Sequence, residues 1–195
     1  MYLEKIEIKN YKNYVTENIN FSKKINYITG KNGTGKTNLL DAIYYLSFTK
    51  SAFNKIEDEN IKYNQNFFLI KGTYKYQDKK MEVKCEYKQG NKKNLYFNES
   101  PYEKISSHFG KIPAVLIMPY DSDIIRNSSY YRRRFFDLLI SQSERKYLQN
   151  IIKYNKVLKY RNLVLKSFKK KNEVDKNQIQ TYDEILIQLN EYIYI

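Results

Sequence analysis

Apolar and polar side chains alternate at the start of the chain: Leu3, Ile6 and Ile8 are apolar, and Glu7 and Lys9 lie between and after the last two. That spacing predicts a half-buried strand. Ile19 and Phe21 share one face of a short second strand, Asn18–Phe21. Ile25–Thr29 is apolar-rich and predicts a strand running straight into Gly30. Leu39, Leu40, Ile43 and Leu46 then recur at helical spacing between Lys36 and Ser47. Phe67–Tyr76, Met81–Tyr87 and Asn94–Phe97 read as strands of an antiparallel meander, with turn-like gaps at Gln77–Asp78 and Gln89–Gly90. Val115–Met118 is a short apolar run stopped by Pro119 and reads as another buried strand.

The last third changes period. All six glycines lie at or before Gly110 and all three prolines at or before Pro119, so the residues after Pro119 carry no strong helix breaker and read as mainly helical. Tyr147, Ile151, Tyr154, Leu158, Leu165 and Phe168 keep a four-three spacing, with Arg161 at the one polar step. Ile179, Tyr182, Leu186, Leu189 and Ile193 repeat it beyond the polar stretch Lys169–Gln178. Two striped helices around a polar turn predict an antiparallel helical hairpin. Two ordinary core helices would carry the same stripes, which are only two to three heptads long.

The net charge of +14 matters for where it sits. Arg126 to Lys171 holds 14 Lys and Arg against two acids, Asp137 and Glu144, and so carries +12 of it. A concentrated basic region attracts polyphosphate partners through Coulomb attraction and counterion release; a solvated helix face is equally compatible with charge alone. Cys85 is the one cysteine, which excludes an intramolecular disulfide, and its alternating surroundings predict a small core residue. His108 is the one histidine, which leaves a zinc site almost without support. The N-terminus lacks a basic region followed by an apolar run, and no stretch approaches the roughly 18 apolar residues of a membrane span, so a soluble, cytoplasmic protein is expected.

The candidate chemistry lies at Gly30-Lys31-Asn32-Gly33-Thr34-Gly35-Lys36-Thr37, which matches G-x-x-x-x-G-K-[ST] in full. Glycines let the backbone turn sharply and approach phosphates without a Cβ in the way. Successive backbone N–H groups then face a concavity suited to anionic oxygens, and the next helix adds free N–H groups and its positive dipole end. In that pattern Lys36 reaches the β- and γ-phosphates of ATP, Thr37 holds Mg²⁺ through its hydroxyl, and Asn38 comes next in the same turn.

Wider runs carry a resemblance. Met1-Tyr2-Leu3, Asn10-Tyr11-Lys12-Asn13-Tyr14 and Lys36-Thr37-Asn38-Leu39-Leu40-Asp41-Ala42-Ile43-Tyr44 resemble the start of RecF-type proteins. Met118-Pro119-Tyr120-Asp121 with Arg132-Arg133-Arg134-Phe135-Phe136-Asp137 looks like that family's Pro-x-Asp and Arg-Arg-Arg-Phe-x-Asp segments, and Tyr154 to Asn162 is similar to its arm helix. The resemblance implies an α/β fold: the N-terminal lobe of a phosphate-loop ABC-type ATPase with an antiparallel β subdomain, plus a helical hairpin arm. It places the lobe at residues 1–140, with the antiparallel part at about 64–100, and the arm at residues 141–195, truncated in its return helix. It implies ATP and Mg²⁺ as cofactors, single- and double-stranded DNA and recombinase-loading proteins as partners, ATP-dependent pairing of two heads, and a role in recombinational repair and replication-fork recovery.

The chain also departs from that family. Hydrolysis there needs an apolar strand ending in Asp-Glu and a glycine-containing signature, and no glycine comes after Gly110. In Val115–Asp121 the acid is offset by Pro119 and Tyr120, and the resemblance places Asp121 or Asp123 near Mg²⁺. Asn127-Ser128-Ser129 stands where the family tends to have Gly-Ser-Pro, leaving Ser128 or Ser129 as a helix cap. Ala52-Phe53 stands where many relatives carry His-Arg.

For DNA, Lys153, Lys156 and Lys159 line up at three-residue spacing, Arg161 lies just beyond them, and Lys169–Lys171 sit at the arm tip. Arg132, Arg133 and Arg134 fan around a helix, so they do not all face one ligand. Two further readings fit the same residues. One is a different phosphate-loop NTPase or small-molecule kinase; the other is a non-enzymatic DNA-binding fragment with a vestigial loop.

Overall fold

The computed structural model describes residues 1–122, 129–171 and 176–194, within which the side chains of residues 120, 122, 169–171 and 176 are not described. Asp123 and Ser128 therefore lie outside the described residues, as do the side chains of Lys169–Lys171. The chain divides into two compact units, Met1–Leu116 and Ile117–Ile195.

In the first unit, strands β1 (Tyr2–Lys9), β2 (Thr16–Asn20), β3 (Phe67–Tyr76), β4 (Lys79–Lys88), β5 (Asn94–Phe97) and β6 (Ser100–Pro101) form one antiparallel sheet in the order β2-β1-β3-β4-β5-β6. The expected meander is β3 to β5, and β1 and β2 extend it along the free edge of β3. The register explains the choice. Ile8 lies opposite Ile70, Ile70 opposite Cys85 and Cys85 opposite Leu95, so one apolar row crosses four strands. All four side chains are buried. Burial pushes the Cys85 thiol up to about 12, which suits a core residue and not a nucleophile. The opposite face is laced by Lys5–Glu7, Lys71–Glu82 and Lys84–Glu86 pairs, as a solvated sheet face should be.

Helix α1 (Lys36–Phe48) covers the apolar face through Leu39, Ala42, Tyr45 and Leu46. Leu40, expected in the stripe, points outward and is 42% exposed. The helix comes close to the sheet at Gly72, where a Cβ would sit 2.5 Å from Leu46 Cδ1. His108 is fully buried and closes the end of α1: Nε2 donates to the Leu46 carbonyl at 2.7 Å, and Nδ1 accepts from the Tyr102 hydroxyl at 3.2 Å.

Two expected strands do not form ladders. Ile25–Thr29 and Val115–Met118 carry no strand pairing, and Ile25, Tyr27, Val115 and Ile117 are exposed. An apolar run becomes a strand only when another strand satisfies its backbone groups, and none among the described residues does so here.

The second unit contains α2 (Ser129–Ser143), α3 (Arg145–Lys171) and α4 (Lys176–Tyr194). Glu144 meets Tyr192 and Arg161 meets Asp183, so α3 and α4 run antiparallel. Burial is deepest at Tyr147, Ile151, Leu186 and Leu189, and it loosens toward Leu165, which is 38% exposed. Tyr147 Oη donates to Asp137 at 2.5 Å and ties α3 to α2.

Candidate functional site

The glycine pattern produces the loop it predicts. Gly30, Gly33 and Gly35 have φ of +147°, +82° and +104°, a region that side-chain-bearing residues rarely adopt. A Cβ on Gly33 would meet nothing within 4 Å, so the loop is open on that side. Gly35 caps α1, so the loop delivers the chain directly into a helix N-terminus. The first N–H groups of any α-helix lack intrahelical partners and carry partial positive charge.

Lys36 folds back over this loop. Its ammonium donates to the carbonyls of Gly30 and Lys31, both at 2.8 Å, which holds the positive charge at the loop mouth. Thr34 Oγ1 donates to Lys31 O at 2.9 Å and closes the turn. Thr37 is exposed in the first turn of α1. A cleft of about 540 Å³ opens beside the loop, lined by Thr34, Lys36, Tyr14, Phe21, Tyr27 and Ile28 among others.

Asn13 and Tyr14 take part in the loop although motif reading passes them over. Asn13 Nδ2 donates to Thr34 O at 3.3 Å, Tyr14 Oη donates to Gly35 O at 3.1 Å, and Asn38 Nδ2 donates to Asn13 Oδ1 at 2.7 Å. The β1–β2 turn thus leans on the phosphate loop from one side. Asn38, expected at the nucleotide, is engaged with this brace. The only local sign was a run of hydrogen-bonding residues where the alternation of β1 ends.

The other expected positions lie in the second unit. Asp121 Oδ2 accepts from the Met118 N–H at 2.7 Å, a local turn contact. Arg132, Arg133 and Arg134 are all exposed on α2, and Ser129 is the first residue of that helix. Lys153, Lys156 and Lys159 are exposed along α3, and Lys156 Nζ lies 6.0 Å from the Tyr160 ring centre. Arg161 is placed differently from these lysines. Its Nε lies 2.5 Å from Asp183 Oδ1, so its charge is paired across the hairpin. Among the described residues, no three His, Cys, Asp or Glu side chains cluster to hold a metal ion. None of the described helices is long and apolar enough to cross a membrane.

Comparison with known proteins agrees with this geometry. Residues 2–111 match the RecF/RecN/SMC N terminal domain model. The chain is 43% identical over 195 residues to the DNA replication and repair protein RecF of Bacteroides fragilis, covering 52% of that protein. It is 43% identical over 192 residues to RecF of Flavobacterium johnsoniae, covering 53% of it. A solved structure of the recombination mediator protein RecF-ATPrS in the RecFOR pathway superposes with a TM-score of 0.92 at 27% identity, over 98% of this chain and 52% of that one. A RecF-ATP structure from the same pathway gives a TM-score of 0.86 over the same shares. The chain spans about half the length of the curated relatives it matches. It belongs to the RecF/RecN/SMC N-terminal domain family, and it corresponds to the N-terminal portion of RecF.

Proposed function

We propose that this chain is the nucleotide-binding portion of an ATP-dependent DNA-binding protein that serves recombinational repair and replication-fork recovery. The observation that carries the proposal is the loop at residues 30–37: glycines at left-handed φ, open space at Gly33, and the Lys36 ammonium held at its mouth. These features fit a polyphosphate. Lys36 would exchange its carbonyl partners for phosphate oxygens, and backbone N–H groups of the loop and of the first turn of α1 would receive the rest. Mg²⁺ would be held by the Thr37 hydroxyl together with phosphate oxygens, the usual arrangement for an ion that keeps few protein ligands, and would supply charge neutralisation. Relatives solved as RecF-ATP and RecF-ATPrS support this reading.

Lys153, Lys156 and Lys159 would contact the DNA backbone, which positions the duplex without reading its sequence. ATP would act as a switch, because nucleotide bound between two heads creates the surface that joins them. Head pairing, recombinase-loading partners and hydrolysis belong to the whole protein. The chain alone is expected to bind nucleotide weakly and to hydrolyse it at or near background.

A fluorescence-anisotropy titration of labelled duplex DNA tests the proposal, run at several salt concentrations with and without MgATP. ATP should strengthen binding, and Lys36→Ala should remove that gain. Replacing Lys153, Lys156 and Lys159 together with Ala should lower the salt slope by roughly 2 to 3, near 0.9 for each phosphate no longer neutralised. DNA binding that ignores both ATP and Lys36 would favour a fragment with a vestigial loop.

A further inference from the structure

Asp41 lies on α1, one turn beyond Thr37, and its carboxylate is fully buried. Four donors reach it. Tyr11 Oη and Ser51 Oγ each lie 2.7 Å from Oδ2, Lys12 Nζ lies 2.5 Å from the same oxygen, and the Ala52 N–H lies 2.7 Å from Oδ1. Burial and the adjacent carboxylate push the Tyr11 phenol well above its usual range, so it stays a donor. One carboxylate therefore fastens three chain segments: α1, the β1–β2 turn at residues 10–14, and the segment at residues 51–54.

The turn at residues 10–14 needs such an anchor. Asn10 and Lys12 have φ of +53° and +52°, which costs energy for residues with a Cβ and persists only where surroundings over-determine it. The Lys12 N–H donates to Asn60 O at 2.8 Å, Lys62 Nζ donates to Asn13 O at 2.9 Å, and Asp41 holds the Tyr11 and Lys12 side chains. The next two residues, Asn13 and Tyr14, are the ones that lean on Thr34 and Gly35 of the phosphate loop. The Lys12 ammonium also lies 5.2 Å from the centre of the Phe53 ring, which joins the 51–54 segment to the same assembly.

We infer that Asp41 is a positioning residue for the phosphate loop: through Tyr11 and Lys12 it fixes the turn whose Asn13 and Tyr14 brace residues 34 and 35. The inference rests on the phosphate-binding reading of residues 30–37. It makes Asp41 more than a core ligand of its own helix, because its effect reaches the loop by a defined route.

That route is tested by Asp41→Asn in two backgrounds, the wild-type chain and Asn13→Ala/Tyr14→Phe. Two readouts are taken: MgATP affinity by calorimetry, and amide hydrogen exchange across residues 31–36 without nucleotide. In the wild-type background Asp41→Asn should weaken MgATP about tenfold and speed loop exchange; where the brace is already removed, the further change should stay within about twofold. A merely structural Asp41 would lower the melting temperature and leave loop exchange and affinity unchanged. That result, or equal losses in both backgrounds, overturns the inference. If Asp41→Asn does not fold, Lys12→Gln replaces it, since it keeps the Tyr11, Ser51 and Ala52 bonds to the carboxylate. Failure of the wild-type chain to bind MgATP would sink the nucleotide reading, and loop exchange would still decide the role of Asp41.

Discussion

Gly35→Ala separates conformational strain from contact in the phosphate loop. Gly35 has φ +104° and ψ 8°, so alanine there is strained whatever the space, at about 1–3 kcal/mol. A Cβ would also lie 2.6 Å from Asn13 Nδ2 and 2.8 Å from Oδ1. Asn13 must then move, giving up its bond to Thr34 O and the one it receives from Asn38. Each such bond has a net worth of about 0.5–1.5 kcal/mol. The combined penalty is roughly 2–6 kcal/mol, and because residues 31–34 of the loop are exposed it should be met by local rearrangement and not by unfolding. A loss of 2 kcal/mol in binding is about 30-fold, so Gly35→Ala should weaken MgATP by at least that factor. Gly33→Ala is the control: its φ is +82°, and its Cβ would meet nothing within 4 Å. It should suffer the strain alone and lose less affinity. Calorimetric titration of both variants reads the difference, with melting curves to confirm that each is folded. Equal losses at the two positions, or a Gly35→Ala loss within about threefold, would refute the argument that Asn13 braces the loop.

The core supplies further tests. Gly72→Ala should destabilise the first unit by about 1–3 kcal/mol through overpacking, because its Cβ would sit 2.5 Å from Leu46 Cδ1; chemical denaturation measures it, and a neutral effect would mean that α1 shifts freely. His108 should make stability acid-sensitive. Burial holds its folded pKa below the ordinary 6.5, partly opposed by its bond to the Leu46 carbonyl and reinforced by Lys111. The unfolded chain therefore binds more protons between those two values, so the contribution is fully present above about pH 6.5 and is lost as pH falls toward the folded value. The urea midpoint of wild type should drop more than that of His108→Gln between about pH 7.5 and pH 5.5, and parallel drops would contradict this.

The parts of the fold that repeat locally could be read from the chain. Alternation in β3 and β4 marks a sheet face every second residue, and the glycines with Lys36 and Thr37 mark a loop whose geometry leaves little choice. Parts that depend on a distant partner could not be read. Ile25–Thr29 has the composition of a strand, but its backbone finds no ladder among the described residues. That β1 and β2 join the meander depends on which edge of β3 is free, and no local period encodes that. Asp41 looks like a polar interruption in an apolar helix, whereas it is buried because Lys12, Tyr11 and Ser51 converge on it from other segments. Asn13 and Tyr14 reach the phosphate loop across about 20 positions of sequence, which leaves no spacing to recognise. Arg161 breaks its stripe for a reason visible only in the hairpin, where it meets Asp183.

We propose that residues 30–37 bind the phosphates of ATP, with Lys36 supplying the charge. Calorimetric titration of the 195-residue chain with MgATP, beside Lys36→Ala, tests it most directly. Saturable heat in the wild-type chain that disappears in Lys36→Ala, while both proteins melt at similar temperatures, is the predicted result. Equal binding by the two proteins, or none by a well-folded wild-type chain, would contradict it.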